Sequence, residues 1–155
     1  MVPRIEVADE GSKKAVSILG RLLADEYVLS VRTREAERYV NGINHAELRN
    51  LFGGQYKGLA ATVADINERI YGAGLPPVLV LTDLRQVSGL KDHNERFTKQ
   101  DQIIEALLDD HESIMQSLGE FSSEGAQADA DTAEFFEGLL RQHEEMAKSL
   151  RGWLQ

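Results

Sequence analysis

Two short clusters combine side chains that proteins use to bind metal ions. They are Asp110-His111-Glu112 and His143-Glu144-Glu145. Carboxylates and imidazoles are both ligands for iron and other first-row metals. Consecutive residues of a helix point in different directions, however, so the members of one cluster do not face a common ion. We therefore predict that both clusters lie on solvated faces or make salt bridges between subunits.

A di-iron site inside a helical bundle has a stricter signature, which this sequence lacks. Such a site takes a glutamate from each of two helices and a Glu-x-x-His motif from each of the other two. None of the four histidines has a glutamate three positions before it. The chain also has no phosphate-binding glycine loop or nucleophile motif. With no cysteine, disulfides, thiolate catalysis and zinc–thiolate sites are excluded.

The chain is acidic, with 155 residues, a net charge of -9 and a pI of about 4.9. Sequence-independent DNA binding depends on lysine and arginine, and the three basic residues among the first 14 are offset by three acidic ones. We therefore expect no DNA binding. The N-terminus has no apolar signal-peptide core, and no apolar run approaches the roughly 20 residues needed to cross a bilayer. We expect a cytoplasmic protein that does not contact a membrane.

Apolar residues recur at helical spacing over four long segments, which predicts four long α-helices. Ser12 can cap the first helix, while Asn44 with Glu47 and Asp131 with Glu134 have the pattern of capping boxes. Gly42 ends the first helix, and Gly72 and Gly74 end the second. The predicted helices run from about Ser12 to Tyr39, from Asn44 to about Gly72, from about Lys99 to Phe121, and from Asp131 to near Trp153.

The connection between the second and third helices, from about Pro77 to Thr98, is too long for a plain loop. Thr82 can cap a short helix that ends at Val87, and extended chain should precede that helix. These elements predict one all-α domain over residues 1–155, with 1–11 as a flexible tail. The architecture is a ferritin-like four-helix bundle with a short extra helix in its long connection.

Five short motifs occur in an order and at a spacing that are specific in combination. They are Leu22-Leu23-Ala24-Asp25-Glu26, Glu37-Arg38-Tyr39-Val40-Asn41-Gly42, Ala64-Asp65-Ile66-Asn67-Glu68-Arg69, Asp110-His111-Glu112 and His143-Glu144. Together they resemble the Dps family, the ferritin-like proteins that store iron and protect starved cells. The resemblance covers nearly the whole chain, and it implies a homo-oligomer, a shell of twelve subunits built from dimers.

The resemblance also implies an iron site between two subunits, with one ligand position at Glu37 and another at Glu68. The family usually has a histidine where Glu37 stands, a second histidine at Arg49 and an aspartate at Ala64. Three of the four usual ligands are therefore replaced. The candidate metal ligands are Glu37, Glu68 and Asp65, although Asp65 points about 100° around the helix from the lost aspartate.

Two interpretations of this site remain open. A guanidinium donates hydrogen bonds and cannot coordinate iron, so Arg49 can pair with Glu37 or Glu68 in a structural ion-pair cluster at the dimer interface. Alternatively, Glu37 and Glu68, with Asp65, form a weakened carboxylate site for Fe(II). Iron is then bound away from the usual family position or oxidised slowly.

Three acids lie where the resemblance places a threefold pore through which iron enters the shell. They are Asp129, Asp131 and Glu134. A ring of carboxylates concentrates cations. Acids at the start of a helix also stabilise its N-terminus, and the two roles are compatible.

By resemblance, the function is iron sequestration: oxidation of Fe(II) as a ferroxidase, commonly with hydrogen peroxide, and storage of the ferric mineral, which protects against peroxide stress. The alternative is a non-catalytic ferritin-like oligomer that acts as a scaffold or a partner-binding shell, its metal site replaced by ion pairs.

Overall fold

The computed structural model describes residues 10–40, 45–74, 81–93, 97–125 and 130–154, and these residues form five α-helices and no β-strand. The all-α class and the short helix in the long connection are confirmed. None of the helices formed by these residues has an apolar stretch long enough to cross a bilayer. The helices are α1 (Glu10–Tyr39), α2 (His45–Gly72), α3 (Leu81–Val87), α4 (Gln100–Gly125) and α5 (Ala130–Arg151).

The four long helices make a bundle of two pairs. Helix α1 packs against α2 and α4, α4 packs against α5, and α3 lies on α1. Polar contacts join α2 to α5: the Gln55 side-chain amide donates to the Met146 carbonyl at 3.1 Å, and the Thr62 hydroxyl donates to the Gln142 side-chain oxygen at 3.1 Å.

Apolar side chains at seven-residue spacing form the core. Each is almost completely buried, and burying one such side chain stabilises the fold by roughly 1.5–3 kcal/mol. A seven-residue repeat keeps these positions on one helix face. Examples are Phe52, Leu59 and Ile66 on α2, Ile104 and Leu118 on α4, and Phe136 and Leu150 on α5.

The helix ends differ from the sequence predictions in several places. Helix α1 begins at Glu10 and α5 at Ala130, so Ser12 and Asp131 lie inside helices and are not N-caps. Helix α3 begins at Leu81, one residue before its expected cap Thr82. Helix α4 continues to Gly125, four residues beyond Phe121. A side chain that can cap a helix fixes its start only to within one or two residues.

Gly74 ends α2 as the sequence predicts. Its φ of 86° lies in the left-handed region that favours glycine, and its N–H donates to the Tyr71 carbonyl at 2.9 Å. The expected stop at Gly42 and the cap at Asn44 lie outside the described residues, as do residues 1–9 of the expected tail; residues 10 and 11 belong to α1.

Side chains of α1 hold the segment that follows α3. The Asp25 carboxylate accepts hydrogen bonds from the Ser88 hydroxyl and the Gly89 N–H, both at 2.8 Å. The Arg32 guanidinium donates to the Lys91 carbonyl at 2.9 Å. These bonds fix the path of the connection over α1 towards α4.

Candidate functional site

The Glu37 side chain, on α1, lies beside Gly53 of α2. A Cβ placed on Gly53 would lie 3.1 Å from the Glu37 Oε1 atom, closer than an ordinary van der Waals contact. The neighbouring Gly54 has open space at the same position. The absence of a side chain at Gly53 therefore makes room for the Glu37 carboxylate.

Arg34 neutralises Glu37 within the same chain. Its Nη1 atom donates to Glu37 Oε2 at 3.0 Å, and its guanidinium lies 4.9 Å from the centre of the Tyr56 ring. Cation–π contact and ion pairing both favour this position of the guanidinium. Arg49, which one of the two interpretations pairs with Glu37 or Glu68, lies against His45 in this chain. Its pairing with acids across a subunit interface remains a prediction.

Asp65 and Glu68 are exposed on α2, far from Glu37. Gly53, which lies beside Glu37, and Glu68 are 15 residues apart on α2. This spacing corresponds to about 22 Å along the helix axis. One chain therefore does not bring Glu37 and Glu68 together, and a site using both needs a second copy. In the part of the chain that the structure describes, no group of three or more His, Asp or Glu residues is arranged to hold a metal ion.

The acids expected at a pore have a basic neighbour. Asp131 is 81% exposed, and its Oδ2 atom accepts a hydrogen bond from Arg69 Nη1 at 3.1 Å. The Arg69 guanidinium also lies 4.0 Å from the centre of the Phe135 ring. Glu134 is exposed and Asp129 lies outside the described residues. Arg69 therefore reduces the negative charge at Asp131.

The prediction that His111 and His143 lie on solvated faces or in intersubunit salt bridges is wrong. Both side chains have 0% exposure, and they form a line with Glu26, which is also fully buried. The His143 Nε2 atom lies 2.5 Å from Glu26 Oε1, and the His143 Nδ1 atom lies 2.8 Å from His111 Nδ1. We refer to Glu26, His143 and His111 as the core triad.

The two ends of the core triad have unused hydrogen-bonding capacity. Glu26 Oε2 and His111 Nε2 are buried and have no hydrogen-bond partner among the described residues. Burial, and then the neighbouring His143, lower the pKa of His111 to about 3, so that its ring is neutral at pH 7. With a neutral His111, its Nδ1–H can donate to His143, whose Nε2–H donates to Glu26.

Seven-residue spacing is the signal that would have found the core triad. Each member occupies one position of a buried stripe on α1, α4 or α5. Adjacent residues of a helix point in different directions, whereas residues one or two helical turns apart share a face. The stripes are Leu19, Glu26, Thr33 and Val40; Ile104, His111 and Leu118; and Phe136, His143 and Leu150.

A second polar network lies outside the core, between α1, α4 and the connection. Asp110 is buried and both of its oxygens accept from Arg32 Nη1 at 2.9 Å, while its Oδ1 atom lies 3.0 Å from His93 Nε2. Asp25, on the same side of α1, is also buried, and burial raises the pKa of its carboxyl although Ser88 and Gly89 oppose this by hydrogen bonding. These contacts position the connection and account for Asp110 without a metal.

The comparisons with known proteins agree with this architecture. The family model of the ferritin-like domain matches residues 16–155. A low temperature-induced protein of Nostoc sp. is 28% identical over 99% of this chain and 88% of its own length. The DNA protection during starvation protein 2 of Bacillus anthracis is 24% identical over 92% of this chain and 98% of its own length.

Among solved structures, Dps from Thermosynechococcus elongatus has a TM-score of 0.87, with 20% identity over 94% of this chain and 92% of that protein. A likeness at this level of identity concerns the fold. The family model covers most of the chain, and the chain therefore belongs to the ferritin-like domain family. The resemblance to Dps is confirmed.

Proposed function

We propose that this chain is a Dps-like cage subunit that sequesters iron by oxidising Fe(II) and storing the ferric mineral, which protects against peroxide. The observation that carries this proposal is the match to the Dps fold over nearly the full length. It is joined by Glu68, the one usual ligand that remains, and by Glu37 at a second ligand position. Iron here is the substrate and the stored material.

The proposed oxidation site combines Glu37 of one subunit with the exposed α2 acids Asp65 and Glu68 of another. Carboxylate oxygens suit Fe(II), which is a hard ion relative to thiolate-binding metals. Glu37 has one oxygen free of Arg34, because only Oε2 accepts from the guanidinium. With Arg34 adjacent, we expect weak binding and slow oxidation.

The proposed route for iron into the shell passes Asp129, Asp131 and Glu134. Rings of carboxylates focus the field at a narrow opening and raise the local cation concentration. The Arg69 contact with Asp131 lowers this effect, so entry would depend on ionic strength.

The likeness to Dps supports assembly into a homo-oligomer, and several large apolar side chains are exposed on a single chain. Tyr39 is 68% exposed, Tyr71 63% and Val87 53%. A dodecamer built from dimers in the cytoplasm, with no DNA bound, is the assembly we propose. Its mass would be twelve times the 17.3 kDa of one chain.

The alternative function is a non-catalytic shell. The Arg34–Glu37 ion pair favours it, because that pair occupies one oxygen of a proposed ligand with a cation from the same chain. In this case the cage frame is kept, and the protein acts as a scaffold or binds protein partners.

Iron oxidation by the purified, metal-free protein distinguishes the two functions. Fe(II) is added in small excess with and without hydrogen peroxide, and ferric absorbance is followed against a protein-free blank. The protein assembly is then separated by size, and the iron bound to it is measured. We expect oxidation faster than the blank, with iron retained on the large particle. A rate equal to the blank and no retained iron would leave the non-catalytic shell.

Variants then locate the site. Glu37→Ala and Glu68→Ala should each slow oxidation. Glu35→Gln is the matched control, because Glu35 is exposed on α1, close to Glu37 in sequence but on another face, and pairs only with Arg38 among the described residues. Unchanged rates in the Glu37 and Glu68 variants would mean that oxidation occurs elsewhere in the shell.

A further inference from the structure

The core triad joins three of the four long helices, α1, α4 and α5, at the centre of the bundle. We propose that it is an internal acid-sensing site, which holds these helices together while His111 is neutral and loosens the pairing of α4 with α5 when His111 takes up a proton. The ligand of this site is the proton, and the proposal is independent of iron chemistry.

The contact between the two imidazoles holds one proton and cannot hold two. The Nδ1 atoms of His111 and His143 lie 2.8 Å apart and face each other, so one must donate and the other must accept. A proton taken up by His111 goes to its Nε2 atom, which is buried and has no hydrogen-bond partner among the described residues, so the new N–H has no acceptor. Because the ring centres are 5.0 Å apart in the core, two positive charges would also repel strongly.

The positive charge of a protonated His111 has no counter-charge to stabilise it. Glu26 is the only carboxylate in hydrogen-bond contact with the two imidazoles among the described residues, and it lies beyond His143, away from His111. On α4, Asp110 is engaged by Arg32 and His93, and Glu112 pairs with Arg151 at the surface.

The other elements around the core triad offer no further compensation. On α5, Glu144 and Glu145 are exposed. On α1, Asp25 accepts from Ser88 and Gly89 of the connection. The polar side chains that link α2 to α5 are uncharged: Gln55, Thr62 and Gln142.

The direction of the pH effect follows from His111. Its pKa is about 3 in the folded bundle and returns to about 6.5 when the helices open. Because the folded pKa is the lower one, the contribution of His111 to stability is complete above pH 6.5 and is lost as the pH falls. Well below that value, each pH unit should raise the opening constant about tenfold. Between pH 6.5, where half of the His111 in the opened state is already protonated, and pH 5, the increase is about 16-fold.

Hydrogen–deuterium exchange of the assembled protein tests this prediction. Exchange of peptides from α4 and α5 is measured between about pH 7 and pH 5 and corrected for the pH dependence of intrinsic exchange. We expect protection in α4 and α5 to fall steeply in the wild type and to stay level in His111→Leu, since leucine continues the apolar stripe of Ile104 and Leu118 without titrating. An equal pH dependence in wild type and His111→Leu would overturn the proposal.

His93→Gln is the matched control. His93 is also a histidine that contacts an acid, Asp110, but it lies outside the core triad. This variant should keep the acid-dependent loss of protection in α4 and α5. If His93→Gln removes that loss and His111→Leu does not, the acid response belongs to the outer network, and the proposal fails.

A second measurement needs no variant. Exchange of the C2–H of each imidazole in the wild-type protein, read by mass spectrometry, gives the titration of the individual histidines. We expect His111 to exchange slowly and to show no titration midpoint between about pH 5 and pH 8. A midpoint for His111 near its ordinary pKa of about 6.5 would show that the core does not hold the ring neutral, and would refute the proposal.

Discussion

Replacing Gly53 or Gly54 by alanine tests whether α2 keeps a glycine for the sake of Glu37. An alanine in a helix interior is more favourable than a glycine by roughly 0.5–1 kcal/mol. At Gly54 a Cβ would meet nothing within 4 Å, so Gly54→Ala should raise the free energy of unfolding by the full amount. At Gly53 the Cβ would lie 3.1 Å from Glu37 Oε1, so the carboxylate must move.

Movement of Glu37 weakens its hydrogen bond with Arg34, which is an exposed ion pair worth at most about 1 kcal/mol. The loss offsets the helical gain, and Gly53→Ala should leave stability nearly unchanged. The two alanine variants should therefore differ by roughly 0.5–1 kcal/mol. For a chain of this size that is about 1–4 °C in the thermal midpoint.

The assay is thermal unfolding at one fixed protein concentration, because assembly itself contributes to the midpoint. Both glycine substitutions are also made in a Glu37→Ala background, which removes the carboxylate. There Gly53→Ala should gain as much stability as Gly54→Ala, and the difference between the two backgrounds measures the coupling. Equal gains for Gly53→Ala in both backgrounds would refute the idea that Gly53 makes room for Glu37.

Two further predictions concern the arginines beside the candidate sites. Arg34→Gln removes the cation next to Glu37, and we expect tighter Fe(II) binding and faster oxidation, measured by titration and stopped-flow absorbance. Arg38→Gln, an exposed change on the same helix, should have no such effect. Slower oxidation in Arg34→Gln would show that Arg34 assists the site. Arg69→Gln should raise the initial rate of iron uptake at low ionic strength, because Asp131 regains its charge, and should lower stability by less than about 1 kcal/mol. An uptake rate that does not respond to Arg69→Gln at any salt concentration would mean that Asp131 does not lie on the route of entry.

The fold could be read from the sequence because the core depends on a repeat that is visible in one dimension. Apolar residues such as Phe52, Leu59 and Ile66 recur every seventh position, and only a helix places them on one face. Gly74 was a reliable stop because its backbone conformation favours glycine. The capping predictions at Ser12 and Asp131 failed because a capping side chain can equally lie in the first turn of a helix.

The candidate site was less predictable, for two physical reasons. The partner of Glu37 is Arg34, one helical turn away, and a sequence with many charges offers several possible pairings of similar energy. The burial of His111 and His143 depends on Glu26, which is more than 80 residues away along the chain, so no local pattern contains the triad. The seven-residue stripes are the one feature of the sequence from which a core position of all three residues could have been predicted.

The side chains that fix the connection after α3 should also protect it from proteases. Exposed segments between helices are the usual places where a chain is cut, and trypsin cleaves after lysine and arginine. Lys91 is exposed and lies outside any helix, yet its own carbonyl accepts a hydrogen bond from Arg32, and Asp25 holds the backbone at Gly89. A protease must draw this segment into an extended strand, which requires both bonds to break. The peptide after Lys91 should therefore survive limited digestion for as long as α1 stays in place, and its cleavage would report that α1 has separated from the connection.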